Sequence, residues 1–138
     1  MKRREAREIA FALIFEIGFA DDNRSLDEIY KLAAACREYE DDEYINQVFF
    51  GIKEKLPEID AKIAAYAVGW KTERLSRVSQ AIMRLCIYEM LFREDIPYNI
   101  AINEAVELAK KYDDENASKF INGIVNTVAD KEGLKKAQ

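Results

Sequence analysis

The sequence predicts an all-α protein with about seven helices. Apolar residues recur at helical spacing along nearly the whole chain, and no segment shows the strict alternation of a half-buried strand. The chain holds five glycines and two prolines in 138 residues, which is too few for the many turns of a β-sandwich or β-barrel.

Apolar spacing, capping residues and breaks in the pattern place the individual helices. The first runs from about Arg4 to Phe19 and is apolar on nearly all sides, which predicts a central position. A second begins at Ser25, which forms a capping-box pattern with Glu28. We expect five more helices: a third through Tyr44–Ile52, a fourth from Pro57 to Gly69, a fifth from Ser76 to about Phe92, a sixth from about Asn99 to Lys111 and a seventh through Phe120–Val128.

The length fits one globular domain, residues 1–138. We expect an N-terminal half of about 1–69 and a C-terminal half of about 70–131, with Trp70 wedged between them and with the residues from Lys131 onwards frayed.

Composition excludes several kinds of chemistry. The chain has no histidine, which removes Ser-His-Asp triads and histidine-ligated metals, so we predict no catalytic residue, no metal and no cofactor. Cys36 and Cys86 lie far apart among apolar residues and are expected to be core thiols in a reducing compartment. The sequence contains no run of 18 apolar residues, so no membrane span is expected. The N-terminus does not have the pattern of a secretory signal, and a cytoplasmic location is therefore expected.

The N-terminus is basic in a protein whose net charge is -5. Lys2, Arg3, Arg4 and Arg7 fall within six residues, and Arg3 and Arg7 share one helix face. Cations oppose the dipole at a helix N-terminus, whereas arginine binds phosphate well. RNA or phosphate binding and a solvated helix start are about equally compatible with this run.

A second basic region lies near the start of the seventh predicted helix. Lys119 is expected in its first turn, where the dipole disfavours a cation, with Asn116 beside it. Asn116 is slightly better explained as a helix cap than as a base contact. Lys110 and Lys111 close the preceding helix, where the dipole favours them.

Three further features have structural interpretations. Gly123 interrupts a helix and favours close helix packing over close approach of a ligand. Glu104 and Glu107 share a helix face that is expected to be solvated or ion-paired. Arg84 and Glu89, in a mostly apolar helix, are expected either to be paired inside or to face a ligand.

Several motifs resemble the NusB family of bacterial transcription antitermination factors. The arginine-rich start matches, as do RLS at 74–76 and the segment from Ile82 to Glu89. The strongest matches are IP at 96–97, AINEAVELAK at 101–110 and KFING at 119–123. These motifs run in order from Arg3 to about Val128.

The resemblance implies two small helical subdomains that bind the boxA element of ribosomal-operon transcripts. The partner would be a small-subunit ribosomal protein acting as NusE, within an antitermination complex on RNA polymerase. By position, the resemblance assigns RNA contact to Arg3, Arg4, Arg7, Arg84, Asn116, Lys119 and Phe120, and partner contact to Phe15 and Ser79. Lys2, which belongs to the same basic run, is predicted to contact RNA with them.

Two positions depart from the family pattern. Phe15 stands where tyrosine is common, and Ser79 stands where the family usually has an acid, so an ion pair to the partner through Ser79 is not expected. The alternative function is a helical protein-interaction adaptor without intrinsic RNA affinity. The sequence does not decide between monomer and dimer.

Overall fold

The computed structural model describes residues 2–17, 42–67 and 75–137. These ranges hold five α-helices and no strand: α1 (Arg3–Ile17), α2 (Glu43–Tyr66), α3 (Arg77–Phe92), α4 (Tyr98–Tyr112) and α5 (Glu115–Lys131). The all-α prediction is confirmed. The prediction of about seven helices is corrected to five within these ranges.

The third and fourth predicted helices are one continuous helix, α2. Pro57 lies inside it and is exposed. A proline removes one backbone hydrogen bond and is disfavoured in a helix interior. Here the buried face runs on across it, with Ile52 before and Ile59 and Ile63 after, so packing holds both sides of Pro57 in one helix.

Helix α3 is the centre of the fold and packs against each of the other four α-helices. Ser76 caps it by accepting a hydrogen bond from the backbone N–H of Ser79, as the sequence predicted. Nearly every side of α3 is buried, and Cys86 lies in the core as a free thiol. The largest fully buried side chains, several of them from α3, are Phe49, Leu13, Ile14, Ile45, Ile52, Ile59, Ile82, Met83, Leu85, Ile87, Ile121 and Ile124.

One close approach fixes the spacing of α2 and α3. A Cβ built on Gly51 of α2 would collide with the phenol ring of Tyr88 on α3. Glycine is therefore required at this crossing.

Helices α4 and α5 form a hairpin joined by Asp113 and Asp114. Asp114 is the N-cap of α5, and its carboxylate accepts the N–H of Ala117 at 2.7 Å. Two predictions are thereby corrected: Asn116 lies inside the helix rather than capping it, and Lys119 lies in the second turn rather than the first.

The C-terminal residues are ordered further than expected. A short 3-10 helix follows α5 at Leu134–Ala137 and packs against it. The ion pair between Lys62 and Glu132 ties the end of α5 to α2.

Some predictions lie outside the described residues: the second predicted helix, the Cys36 thiol, and the positions of Gly69 and Trp70. The division into halves near residue 70 therefore stays a prediction. In the ranges described, no helix combines the length and hydrophobicity needed to cross a membrane.

Candidate nucleic-acid interface

One surface groove is lined by residues from both α1 and α5. Arg4 from α1 and Lys119 from α5 line the same groove of about 900 Å³, although they are far apart in sequence. Helix α4 forms its floor with Asn103, Glu107 and Lys110 among other residues. The two basic regions that the sequence showed separately thus border one groove.

A smaller pocket of about 360 Å³ adjoins this groove on the α1 side. Arg4, Glu104, Glu107 and Lys110 line both cavities, so the two form one surface, which we name the α1–α4–α5 groove. Cations outnumber acids in each part, although the protein as a whole is acidic. The groove is therefore a locally favourable place for a polyanion.

Arg4 is positioned by a carboxylate from α4. Its Nε and Nη2 atoms donate to Glu104 at 3.3 and 3.0 Å. The Arg4 side chain is nevertheless 71% exposed. The hydrogen bond and charge of Glu104 raise the pKa of Arg4. A guanidinium has five N–H donors, so the remaining donors stay available to a phosphate.

Arg7 has a different environment from the other N-terminal cations. It is 5% exposed and donates through Nε and Nη2 to Glu89 of α3 at 2.8 and 3.0 Å. Burial alone would lower the pKa of Arg7, but the hydrogen bonds and charge of Glu89 raise it. The buried Glu89 carboxylate also accepts a hydrogen bond from the hydroxyl of Tyr44.

The cluster of Arg7, Glu89 and Tyr44 joins α1, α2 and α3, and Arg7 also lines the smaller pocket of the groove. Arg3 stacks over the Tyr44 ring, with its guanidinium carbon 4.5 Å from the ring centroid, and stays exposed. Lys2 is also exposed. Arg3, Arg4 and Lys2 are thus available to solvent, whereas Arg7 holds the helices together.

Arg84, which the resemblance assigns to RNA contact, does not line the groove. Arg84 donates to Asp60 of α2 at 2.9 and 3.0 Å and lines a separate small cavity with Ile63 and Leu75. Of the two outcomes left open for Arg84, pairing is the observed one, and the pair is only partly buried.

Asn116 and Phe120 belong to α5. Asn116 is exposed one turn before the half-buried Phe120. Neither lines the groove that contains Lys119, so this structure does not bring all the predicted RNA-binding residues to one cavity.

The two predicted partner-binding residues differ in exposure. Phe15 is half-buried and packs against the core. Ser79 is fully buried, and its hydroxyl donates to Asp113 at 2.6 Å. Ser79 thus ties α3 to the α4–α5 junction, and its side chain has no surface to offer a partner.

The sequence interpretation missed Asn103 and Asn122, which are exposed and line the groove. The available signal was spacing: Asn122 follows Lys119 by three residues and shares its helix face. It also assigned Gly123 to helix packing, which is corrected here. A Cβ at Gly123 would meet no atom of the described residues within 4 Å.

Five packed helices and a mixed-charge groove, with no metal-ligand cluster among the residues described, define a small all-α binding domain. The sequence model of the NusB family matches residues 4–130. This span includes α4 and all but the first residue of α1 and the last residue of α5.

Relatives agree with this match. The transcription antitermination protein NusB of Acetivibrio thermocellus is 45% identical over 93% of this chain and 88% of its own length. That of Bacillus subtilis is 38% identical over 93% of this chain and 95% of its own. The chain belongs to the NusB family.

Solved structures show the same fold. NusB of T. maritima has a TM-score of 0.84 and 35% identity, with 98% of each chain covered. A chain from a crystal structure of the antitermination factors NusB and NusE in complex with double-stranded RNA has a TM-score of 0.78 at 24% identity. It covers 99% of this chain and 97% of its own, and at that identity it shows the fold alone.

Proposed function

We propose that this protein is a transcription antitermination factor that binds boxA-type single-stranded RNA together with the ribosomal protein that acts as NusE. One observation carries the RNA-binding part: Arg4 and Lys119 line a single groove although they lie near opposite ends of the chain. Family membership supports the biological role, since the relatives are transcription antitermination proteins. A NusB and NusE complex with RNA is also known for a protein of the same fold.

The site consists of exposed cations of α1 and α5, with polar residues of the groove between them. Lys2, Arg3 and Arg4 would neutralise phosphates from α1, and Lys119 from α5, with Asn116 and Phe120 next to it. Arg7 would act indirectly, since its buried contacts fix α1 against α3. Arg84 would take part only after leaving Asp60.

Phe15 is the proposed contact for the ribosomal protein, because an aromatic side chain that is only half-buried supplies apolar surface. The role is one of binding and assembly rather than catalysis, in agreement with a chain that has no histidine. We place the protein in the cytoplasm, within the antitermination complex on RNA polymerase.

The test is an RNA-binding isotherm at several salt concentrations, with and without the ribosomal protein. Phosphate contacts make log affinity fall linearly with log salt concentration. We expect a salt-dependent affinity for boxA RNA that the ribosomal protein increases. Binding of the ribosomal protein with no RNA affinity in either sample would instead establish the adaptor function.

A further inference from the structure

One exposed face of α5 has a composition that helix stability does not explain. It consists of Lys119, Asn122, Gly123 and Asn126, spaced so that all four lie on the same side of the helix. Lys119 and Asn122 also line the α1–α4–α5 groove. The face therefore continues the groove along α5.

Gly123 is the central residue of this face. It lies in the helix interior, is exposed, and has open space where a side chain would be. Its backbone does not have the positive φ that would favour glycine, since among the described glycines only Gly133 has one. Glycine weakens a helix relative to alanine, and here neither packing nor backbone geometry requires it.

Asn122 presents a hydrogen-bond donor beside this glycine. The Asn126 side-chain amide donates to the Asn122 backbone oxygen at 2.9 Å, which identifies the donating atom as Nδ2. The same Nδ2 lies 2.7 Å from the side chain of Asn122, whose atom there must be the acceptor Oδ1. The Asn122 NH₂ group consequently points away from Asn126 as a donor, and no described residue accepts from it.

We propose that this face of α5 binds a nucleotide of the single-stranded RNA, with the sugar–phosphate backbone lying against Gly123. The Asn122 amide donates to a carbonyl oxygen of the base, and Lys119 neutralises the adjoining phosphate. A Cβ at position 123 would hold the RNA backbone away from both side chains. This inference rests on the proposed function and adds Asn122 and Gly123 to the residues that contact the RNA.

The chemistry of the face favours RNA over a protein partner. It offers a cation, the NH₂ group of Asn122 and a position without a side chain at Gly123, and it is continuous with a groove richer in cations than acids. The centres of protein interfaces are enriched in aromatic residues and methionine, which this face lacks. Exposed amides and cations are the groups that bind bases and phosphates.

The decisive variant is Gly123→Ala, because the two effects have opposite directions. Alanine in an exposed helix should raise the melting temperature by about 3 °C. If RNA lies against Gly123, the same methyl group should weaken boxA RNA binding by about fivefold or more, which corresponds to about 1 kcal/mol. The salt slope should stay unchanged, since no cation is removed.

Ala65→Gly on the exposed side of α2 is the matched control. It should lower the melting temperature and leave RNA affinity unchanged, which separates RNA binding from helix stability. Asn122→Ala should reduce the preference for boxA RNA over a scrambled sequence. Each variant is measured with the full chain, with RNA alone and with the ribosomal protein.

The outcomes are distinguishable. If the unmodified protein binds RNA and Gly123→Ala binds it equally well, this inference is wrong and the proposed function stands. A Gly123→Ala protein that keeps RNA affinity but loses the ribosomal protein would make the face a protein contact and also overturn it. If the unmodified protein binds no RNA, the proposed function is wrong, and the inference that rests on it is wrong as well.

Discussion

At the scale of single residues, burial separates Arg7 from the other cations of the N-terminal run. Its guanidinium is held by Glu89, and Glu89 also accepts the hydroxyl of Tyr44. A buried charge that loses its partner is strongly destabilising, because the remaining charge has no water to compensate it. Arg7 is therefore a positioning residue for α1.

Replacement of Arg7 by methionine should reduce the free energy of unfolding by about 3 kcal/mol, because it leaves Glu89 buried and unpaired. Arg3→Met, at the exposed cation one turn earlier, should change stability by less than about 0.5 kcal/mol. Urea denaturation of both variants measures the difference. Equal stability of the two variants would show that the buried pair does not hold α1 in place.

Tyr44 makes stability sensitive to alkaline pH. Burial and the neighbouring Glu89 charge raise the pKa of Tyr44 above its ordinary value of 10. The unfolded chain therefore loses the phenolic proton first, and the contribution of this group, complete below about pH 10, is lost as pH rises further. Burial likewise raises the pKa of the Cys86 thiol.

The free energy of unfolding should consequently fall as pH rises above about 10, and Tyr44→Phe should flatten that decline. The variant should also be less stable at neutral pH, because Glu89 loses a donor. Urea denaturation at a series of pH values tests this. An alkaline decline of the same slope in Tyr44→Phe would contradict the assignment.

At the scale of elements, the helices whose ends carry clear signals were predicted well. Ser76 caps α3, and the apolar sides of α3 correctly identified it as central. The central position expected for the first helix is not observed among the described helices, since α1 packs mainly against α2 and α3. The break expected near Pro57 does not occur, because a continuous buried face outweighs the local cost of proline. Rules based on local sequence do not include the stabilisation that a helix gains from packing against other helices.

The start of α5 offers a direct test of the cap assignment. Asp114→Ala should destabilise the protein by about 1 kcal/mol, because the N–H of Ala117 loses its acceptor. Asp114→Asn should retain most of the stability, since asparagine caps helices equally well.

Asn116→Ala is the control, and it should be close to neutral because Asn116 lies inside the helix. Thermal melts of the three variants measure this. If Asn116→Ala is the more destabilising change, the helix begins later than described.

At the scale of the whole molecule, the groove lies along α4, with α1 on one side and α5 on the other. Composition and motif spacing identified Arg4 and Lys119 separately, but only the packing of α1, α4 and α5 places them in one groove. The pairing of Arg4 with Glu104 was not predictable from spacing, since 100 residues separate them. The burial of Arg7 was equally unpredictable from the sequence, because its partner Glu89 belongs to another helix.

The most direct test of the account is the salt dependence of boxA RNA binding by Arg4→Gln, Lys119→Gln and the double variant. Glutamine keeps a polar, helix-compatible side chain and removes only the charge. If both cations bind phosphates of one RNA, each single change should reduce the log–log salt slope by about 0.7, and the double change by about 1.4. Lys53→Gln, an exposed cation of α2 outside the groove, should leave the slope unchanged. A slope that stays unchanged in either single variant, or falls equally in Lys53→Gln, would contradict a single RNA site spanning α1 and α5.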